Sequence, residues 1–332
     1  MAILVTGATG FVGRHVAEDL ARAGRSVRCL VRRATDASEL ERAGFEIVRG
    51  ELLDQPSLDA AVCGVDAVVH VAGLIAARSH TQMRRVNAEG VGRIAAACAR
   101  SPSPPRRFLL VSSLAAAGPS RGGRAVREDD EPRPVSRYGV TKLLGERAAV
   151  RALPPATSLT VIRPPAVYGP FDRGIHGFFD AAARGVRLRI GTRPRRVSIV
   201  HGEDLAAGIR LALDADIAAG RTYFVADPDA YDINDLIARI VAAVGGRTRA
   251  VSVPEPVLRL IGAALEEVAR WRGETPLFSR DKAAEFLAEG WVCDPERAMR
   301  ELGWRPARTL EEGLAATAAW YRERGWIASR RI

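Results

Sequence analysis

A tyrosine and a lysine four residues apart can do proton chemistry if one helix carries both. The stretch SRYGVTKLLGER, residues 136–147, sets Tyr138 and Lys142 at that offset. Four residues along a helix return side chains to the same face, one turn on. A free phenol titrates near 10, too high for a useful base near neutrality. A nearby ammonium stabilises the phenolate and lowers that value, so the spacing predicts a tyrosine able to give or take a proton. Lysine is used sparingly here. The chain has 49 Lys and Arg residues, and only Lys142 and Lys282 are lysine. Of five tyrosines, only Tyr138 has lysine at this offset. The stretch RFLLVS, 107–112, reads as a strand that closes on Ser112 and Ser113. A hydroxyl there, Ser113, could hydrogen-bond a reacting oxygen and orient it.

A second constellation lies at the start of the chain. The apolar run AILVT, residues 2–6, enters Thr6-Gly7-Ala8-Thr9-Gly10-Phe11-Val12-Gly13 and then a helical pattern. Glycines spaced G-x-x-G-x-x-G suit a tight turn (Gly7), the close approach of a diphosphate (Gly10) and helix–sheet packing (Gly13). A helix N-terminus offers free N–H groups and partial positive charge to phosphate. A glycine triplet alone is weak evidence, but strand, loop and helix in this order point to a dinucleotide. The second strand, SVRCLV at 26–31, ends in Arg32-Arg33. An acid there would serve the ribose 2′-hydroxyl of NAD; guanidinium groups suit the 2′-phosphate of NADP. NADP is therefore expected, with NAD the alternative. Glu51, after the third strand, is placed to accept from the adenine amino group. The donors of Lys142 also suit the cofactor's ribose hydroxyls.

These groups need a frame. Strands predicted at 2–6, 26–31, 45–49, 66–71, 107–112 and 157–163 alternate with helices at 11–24, 36–43, 56–62, 80–100 and 137–152. Alternation of this kind calls for a doubly wound parallel sheet covered on both faces, with ligands at the carboxyl ends of its strands. Helix 203–214 and strand 221–226 read as later additions to that sheet. The expected division is an NADP-binding α/β domain of residues 1–165 plus about 202–226. A smaller, mostly helical substrate lobe then comprises 166–201 and 227–332. The apolar segment VLRLIGAAL, 257–265, reads as core or as a lid in preference to a membrane-touching patch.

Composition narrows the classes. Hydrophobic residues make up 47% and charged residues 27% of 332, ordinary for a globular chain. No apolar run is long enough to span a bilayer, and no secretory leader is apparent, so a cytoplasmic location is expected. Cys29, Cys63, Cys98 and Cys293 show no metal-ligand spacing with the five scattered histidines, and no metal is expected. The net charge of +10 is spread in arginines along the chain, without a basic helix or aromatic interleaving. That argues against nucleic acid and for anionic ligands.

Together the motifs resemble the extended short-chain dehydrogenase/reductase family, also described as the NAD-dependent epimerase/dehydratase family. The pieces are TGATGFVG (6–13), VVHVAG (68–73), Asn87 in RVNAEGVGRI, VSSLAAAG (111–118), YGVTK (138–142) and RPPAVYGP (163–170). The resemblance implies a Rossmann-like fold and a catalytic set of Ser113, Tyr138 and Lys142 with Asn87 in support. It implies a cofactor groove lined by Gly7, Thr9, Gly10, Phe11, Val12, Gly13, Leu52, Val71, Ala72 and Gly73. Pro165, Ala166 and Val167 would lie near the nicotinamide amide. It also implies a homodimer through helices 80–100 and 137–152. The tail EEVARWRGETPLFSRDKAAEFLAEGWVCDPERAMRELGWRP resembles relatives near 3β-hydroxysteroid dehydrogenases and dihydroflavonol reductases. Sugar-nucleotide members usually carry asparagine at the position of Ala166.

The expected function is thus an NAD(P)-dependent oxidoreductase that interconverts a ketone and a secondary alcohol on a mostly apolar molecule. A nucleotide-sugar epimerase or dehydratase is the alternative, with Arg193, Arg195 and Arg196 available to clamp a diphosphate. A non-catalytic cofactor-binding protein is the third reading, disfavoured by an intact serine–tyrosine–lysine set.

Overall fold

The fold comes from a computed structural model in which residues 1–276 and 278–328 are described. Its centre is a seven-stranded sheet. The first six strands are β1 (Ala2–Thr6), β2 (Ser26–Val31), β3 (Glu46–Arg49), β4 (Ala67–His70), β5 (Arg107–Val111) and β6 (Ser158–Ile162). Outside the sheet lie β7 (Ala166–Tyr168), β8 (Val186–Ile190) and β9 (Arg196–His201); β10 (Thr222–Tyr223) completes it. The order is β10-β6-β5-β4-β1-β2-β3, every pair parallel. The strands are apolar on both faces because helices cover both. Leu4, Val5, Val68, Val69, Phe108 and Leu109 are all buried, and fully burying such a side chain is worth roughly 1.5–3 kcal/mol. The order reverses between β1 and β4, which opens a crevice at their carboxyl ends.

The expected strands recur within a residue or two at their ends. Two expectations need correction. The helix foreseen over 80–100 is α-helical at His80–Arg84, a π turn at Arg85–Glu89, and α-helical again at Gly90–Arg100. The last strand is two residues long rather than six, because the chain turns away after Tyr223. The smaller lobe is mostly helical as expected, with short strands that the sequence did not show. β9 pairs with β7 and with β11 (Ala230–Asp232), and β8 pairs with β12 (Arg249–Val253). These strands are three to six residues long. The lobe's own core gathers Tyr168, Phe179, Ile199, Ile240, Leu314 and Tyr321.

Candidate functional site

The loop between β1 and the helix Phe11–Arg22 is shaped by sterics. Gly7 sits at φ +77°, a conformation that favours glycine, and a Cβ there would lie 2.8 Å from the Ala72 nitrogen. A Cβ on Gly13 would fall 2.1 Å from the Gly7 carbonyl oxygen. Both positions therefore exclude side chains, and the helix start is drawn against the loop. Gly10 precedes the helix and caps it with no side chain. The first N–H groups of the helix, from Phe11 on, thus face the crevice without a capping oxygen. Thr9 and Gly10 are exposed, and Phe11 and Val12 half-buried. A loop of this shape before a helix start with no side-chain cap could hold a phosphate group.

The other expected cofactor residues line the same sheet edge. Arg32 and Arg33 follow β2 and are exposed; Arg33 stands 3.5 Å from Asp54, and no carboxylate among the described residues pairs with Arg32. Glu51 and Leu52 follow β3, where the Ser57 hydroxyl accepts from the Glu51 amide at 3.1 Å. Val71, Ala72 and Gly73 follow β4. The Thr6 hydroxyl accepts from the Ala72 amide at 3.2 Å and meets Nδ1 of buried His70 at 2.9 Å. Burial lowers His70 to about 3, so its ring is neutral, and this contact holds the ends of β1 and β4 together. Pro165 is buried and Ala166 and Val167 begin β7.

The helix Arg137–Ala152 brings the acid–base candidates to this edge. Ser136 caps it, its hydroxyl accepting from the Gly139 amide at 3.0 Å. Pro154 enforces its end. Small residues bring it close to its neighbours: a Cβ on Gly139 would lie 2.2 Å from the Ala115 carbonyl oxygen, and one on Gly145 2.3 Å from that of Asn87. Tyr138 is half-buried, with the Ser113 hydroxyl near enough to lower its phenol. Ser113 also caps the short helix Leu114–Ala117, accepting from the Ala115 amide at 3.1 Å. Ser112 turns the other way, and its hydroxyl donates to buried Glu146.

The electrostatics run against the expectation for Tyr138. Desolvation pushes the phenol up to about 12; Ser113 pulls it down and the Glu285 carboxylate adds to the rise. The Lys142 Nζ donates to the Val111 carbonyl at 2.7 Å. Lys142 is buried, and desolvation brings it down to about 8 with Glu146 opposing.

Asn87 is fully buried on the π turn. Its Oδ1 accepts from the Leu74 amide at 2.7 Å, and its Nδ2 donates to the Leu74 carbonyl at 2.8 Å and to the Thr141 hydroxyl at 3.1 Å. It therefore ties the turn after β4 to the helix that carries Tyr138 and Lys142.

Sequence reading missed two supports. Glu146 and Arg163 form a buried two-pronged ion pair, with Nε–Oε1 at 2.9 Å and Nη2–Oε2 at 2.6 Å. Glu146 lies four residues after Lys142, so the i,i+4 logic that paired Tyr138 with Lys142 also pointed to it. Glu285 and Asp281, from the lobe helix Arg280–Phe286, grip the start of the Tyr138 helix. Glu285 accepts from the Ser136 hydroxyl, and Asp281 accepts from the Arg137 amide at 3.0 Å. No sequence signal marks that long-range contact.

Residues 3–226 match the NAD dependent epimerase/dehydratase family. The chain belongs to that family. It is 34% identical over 325 residues to the ceramide reductase of Caulobacter vibrioides, covering 98% of this chain and 96% of that one. It is 29% identical over 331 residues to the 2-alkyl-3-oxoalkanoate reductase of Stenotrophomonas maltophilia, covering 95% and 97%. Among solved structures, gox2253 superposes with a TM-score of 0.79 at 26% identity over 98% of this chain and 99% of that one. The family member described here is an NAD(P)-dependent enzyme of the short-chain dehydrogenase/reductase type acting on CH–OH/C=O groups.

Proposed function

We propose that this enzyme reduces a ketone on a mostly apolar small molecule to a secondary alcohol, using NADPH, with Tyr138 as the proton donor. The observation that carries the reading is that Ser113, at the end of β5, and the helix bearing Tyr138 and Lys142 lie at the same sheet edge as the glycine loop, with the Lys142 Nζ at the Val111 carbonyl. Two relatives named as reductases of a ceramide and of an oxoalkanoate support an apolar carbonyl substrate.

The amides at the start of helix Phe11–Arg22 would hold the diphosphate, Arg32 and Arg33 the 2′-phosphate, and Val71–Gly73 with Pro165–Val167 the walls of the groove. When bound, the nicotinamide supplies a hydride to the carbonyl carbon. Ser113 donates a hydrogen bond to the carbonyl oxygen and fixes its direction. Tyr138 gives that oxygen its phenolic proton, which completes the alcohol, and water later restores the proton. Lys142, one helical turn away, is the counter-charge for the transient phenolate. Asn87 keeps the turn after β4 and the catalytic helix in register. A homodimer through helices Gly90–Arg100 and Arg137–Ala152 belongs to the same reading; Val140 and Val150 are exposed on the second of these.

A sugar-nucleotide substrate fits less well. Arg195 is buried and pairs with Glu255, and Arg196 donates to the Ala230 carbonyl at 3.0 Å. Of the three arginines foreseen as a diphosphate clamp, only Arg193 is without such a partner among the described residues.

The test is NADPH consumption with a panel of long-chain and polycyclic ketones. Tyr138→Phe is expected to lower turnover by roughly 10²–10⁴-fold with the fold intact. Full turnover in that variant would end the assignment. Changing Arg32 and Arg33 together to serine is expected to raise the KM for NADPH by about tenfold or more and leave that for NADH near its starting value. Equal effects on both cofactors would remove the 2′-phosphate role.

A further inference from the structure

The helix Glu255–Arg272 presents an apolar face to solvent. Its inner face is made of small residues: Gly262 and Ala269 are buried, and a Cβ on Gly262 would lie 2.8 Å from the Ser279 carbonyl oxygen and 3.1 Å from the Ala283 Cβ. At 100° per residue, the opposite face carries Val257, Leu260, Ile261, Ala264, Leu265, Val268 and Trp271. Leu260 is 69% exposed and Trp271 88%, and the others in that row are exposed as well. The segment read from sequence as core or lid thus buries Gly262 and turns this face to solvent. The usual polarity of a surface helix is inverted, and the stripe runs the helix's length of ~27 Å.

Arginines without a carboxylate partner lie on this helix and on the two-stranded ribbon that leads into it. Arg259 and Arg272 are exposed on the helix, Arg249 on the strand that leads into it, and Arg187 and Arg189 on the strand paired with that one. The register sets Arg187 beside Ala250 and Arg189 beside Ser252, so both arginines stand on one face of the ribbon. None of the five has a carboxylate within ion-pair distance among the described residues, whereas Arg270 and Arg280 use Glu266 and Glu267. The cofactor cradle does not account for this share of the +10 charge.

We propose that this face docks on an anionic lipid surface, with Leu260 and Trp271 entering the headgroup–acyl boundary and the flanking arginines meeting lipid phosphates. The charge pattern selects that occupant. An apolar stripe on a helix that also carries the unpaired Arg259 and Arg272, continuous in sequence with a ribbon bearing three more unpaired arginines, matches an interface that is apolar beneath and negative above. A second copy of the chain, related by a two-fold axis, would set the same unpaired arginines against each other. No helix among the described residues is long and apolar enough to cross a membrane, so the contact is peripheral.

The test is flotation of the full chain with phosphatidylcholine vesicles, with and without phosphatidylglycerol. Binding to the mixed vesicles at low salt, weakened by added salt and slight on phosphatidylcholine alone, is expected. Leu260→Ser with Trp271→Ser is expected to lower partitioning by about tenfold or more, and Arg187→Ser with Arg189→Ser to erase the preference for anionic lipid. Brominated lipid should quench part of the wild-type tryptophan emission, which needs no variant. The proposal fails if the wild-type chain does not float with anionic vesicles at low salt, or if the Leu260/Trp271 variant binds as well as wild type. It also fails if the face proves to be a self-association surface, seen as a dimer that the same variant dissociates without any vesicle binding. None of these readouts requires turnover, so they stand apart from the reductase reading.

Discussion

Lys142→Met should destroy activity and stabilise the fold. Buried Lys142 titrates near 8 in the folded chain against 10.5 as an ordinary lysine. Its folded form is the weaker proton binder, so the unfolded chain holds more protons between those two values. By linkage, stability rises with pH across that window, and the cost of keeping the ammonium is fully present below about 8. At about 1.4 kcal/mol per pH unit, that cost is roughly 3 kcal/mol. Methionine is close in length and carries no charge to desolvate. It forfeits the bond from Nζ to the Val111 carbonyl, worth about 1 kcal/mol. The variant should then be more stable at pH 7 by ~2 kcal/mol, which for a chain of this length raises Tm by ~3 °C. At about pH 9.5 the remaining cost of the lysine equals the lost bond, and the two melting curves should meet. Thermal unfolding followed by near-ultraviolet circular dichroism at pH 7, 8.5 and 9.5 measures this. A variant less stable than wild type at pH 7, or an advantage that ignores pH, would refute the reasoning.

Two further outcomes concern the site's supports. Arg163→Met leaves the Glu146 carboxylate buried and unpaired and should cost about 3–5 kcal/mol in denaturant unfolding, whereas Glu146→Leu with Arg163→Met should cost clearly less; equal losses would mean that the ion pair stabilises on its own account. Gly13→Ala should abolish measurable NADPH binding by fluorescence titration and lower Tm, since its Cβ would meet the Gly7 oxygen at 2.1 Å. Normal affinity in that variant would show the helix start free to shift.

What could be read from sequence was what local pattern encodes. Strands such as AILVT and RFLLV are apolar on both faces, and the helices between them have their own periodicity, so the central sheet was legible. So were the glycine loop and the Tyr138–Lys142 pair, because each is a spacing within one element or one turn. The small sheets were not, since strands of three to six residues such as β7 and β11 have too little pattern to stand out from loop. Pairing β9 with β11 depends on tertiary contact alone. Direction relative to solvent was also hidden. The run VLRLIGAAL gave an apolar segment at 257–265, and only the packing of Gly262 and Ala269 showed that most of its apolar side chains point outward. The upward shift of Tyr138 was hidden for a related reason: its first cause is burial, and burial depends on tertiary packing that spacing does not encode.

The seam between the Tyr138 helix and the lobe has a consequence for altering what the enzyme accepts. The first turn of that helix is anchored by Glu285 and Asp281, some 150 positions further along the chain. Refitting the lobe to a new molecule therefore cannot treat it as a detachable cap. Whatever is rebuilt in the cavity, two carboxylates must still arrive at Ser136 and Arg137, or the phenol loses its footing.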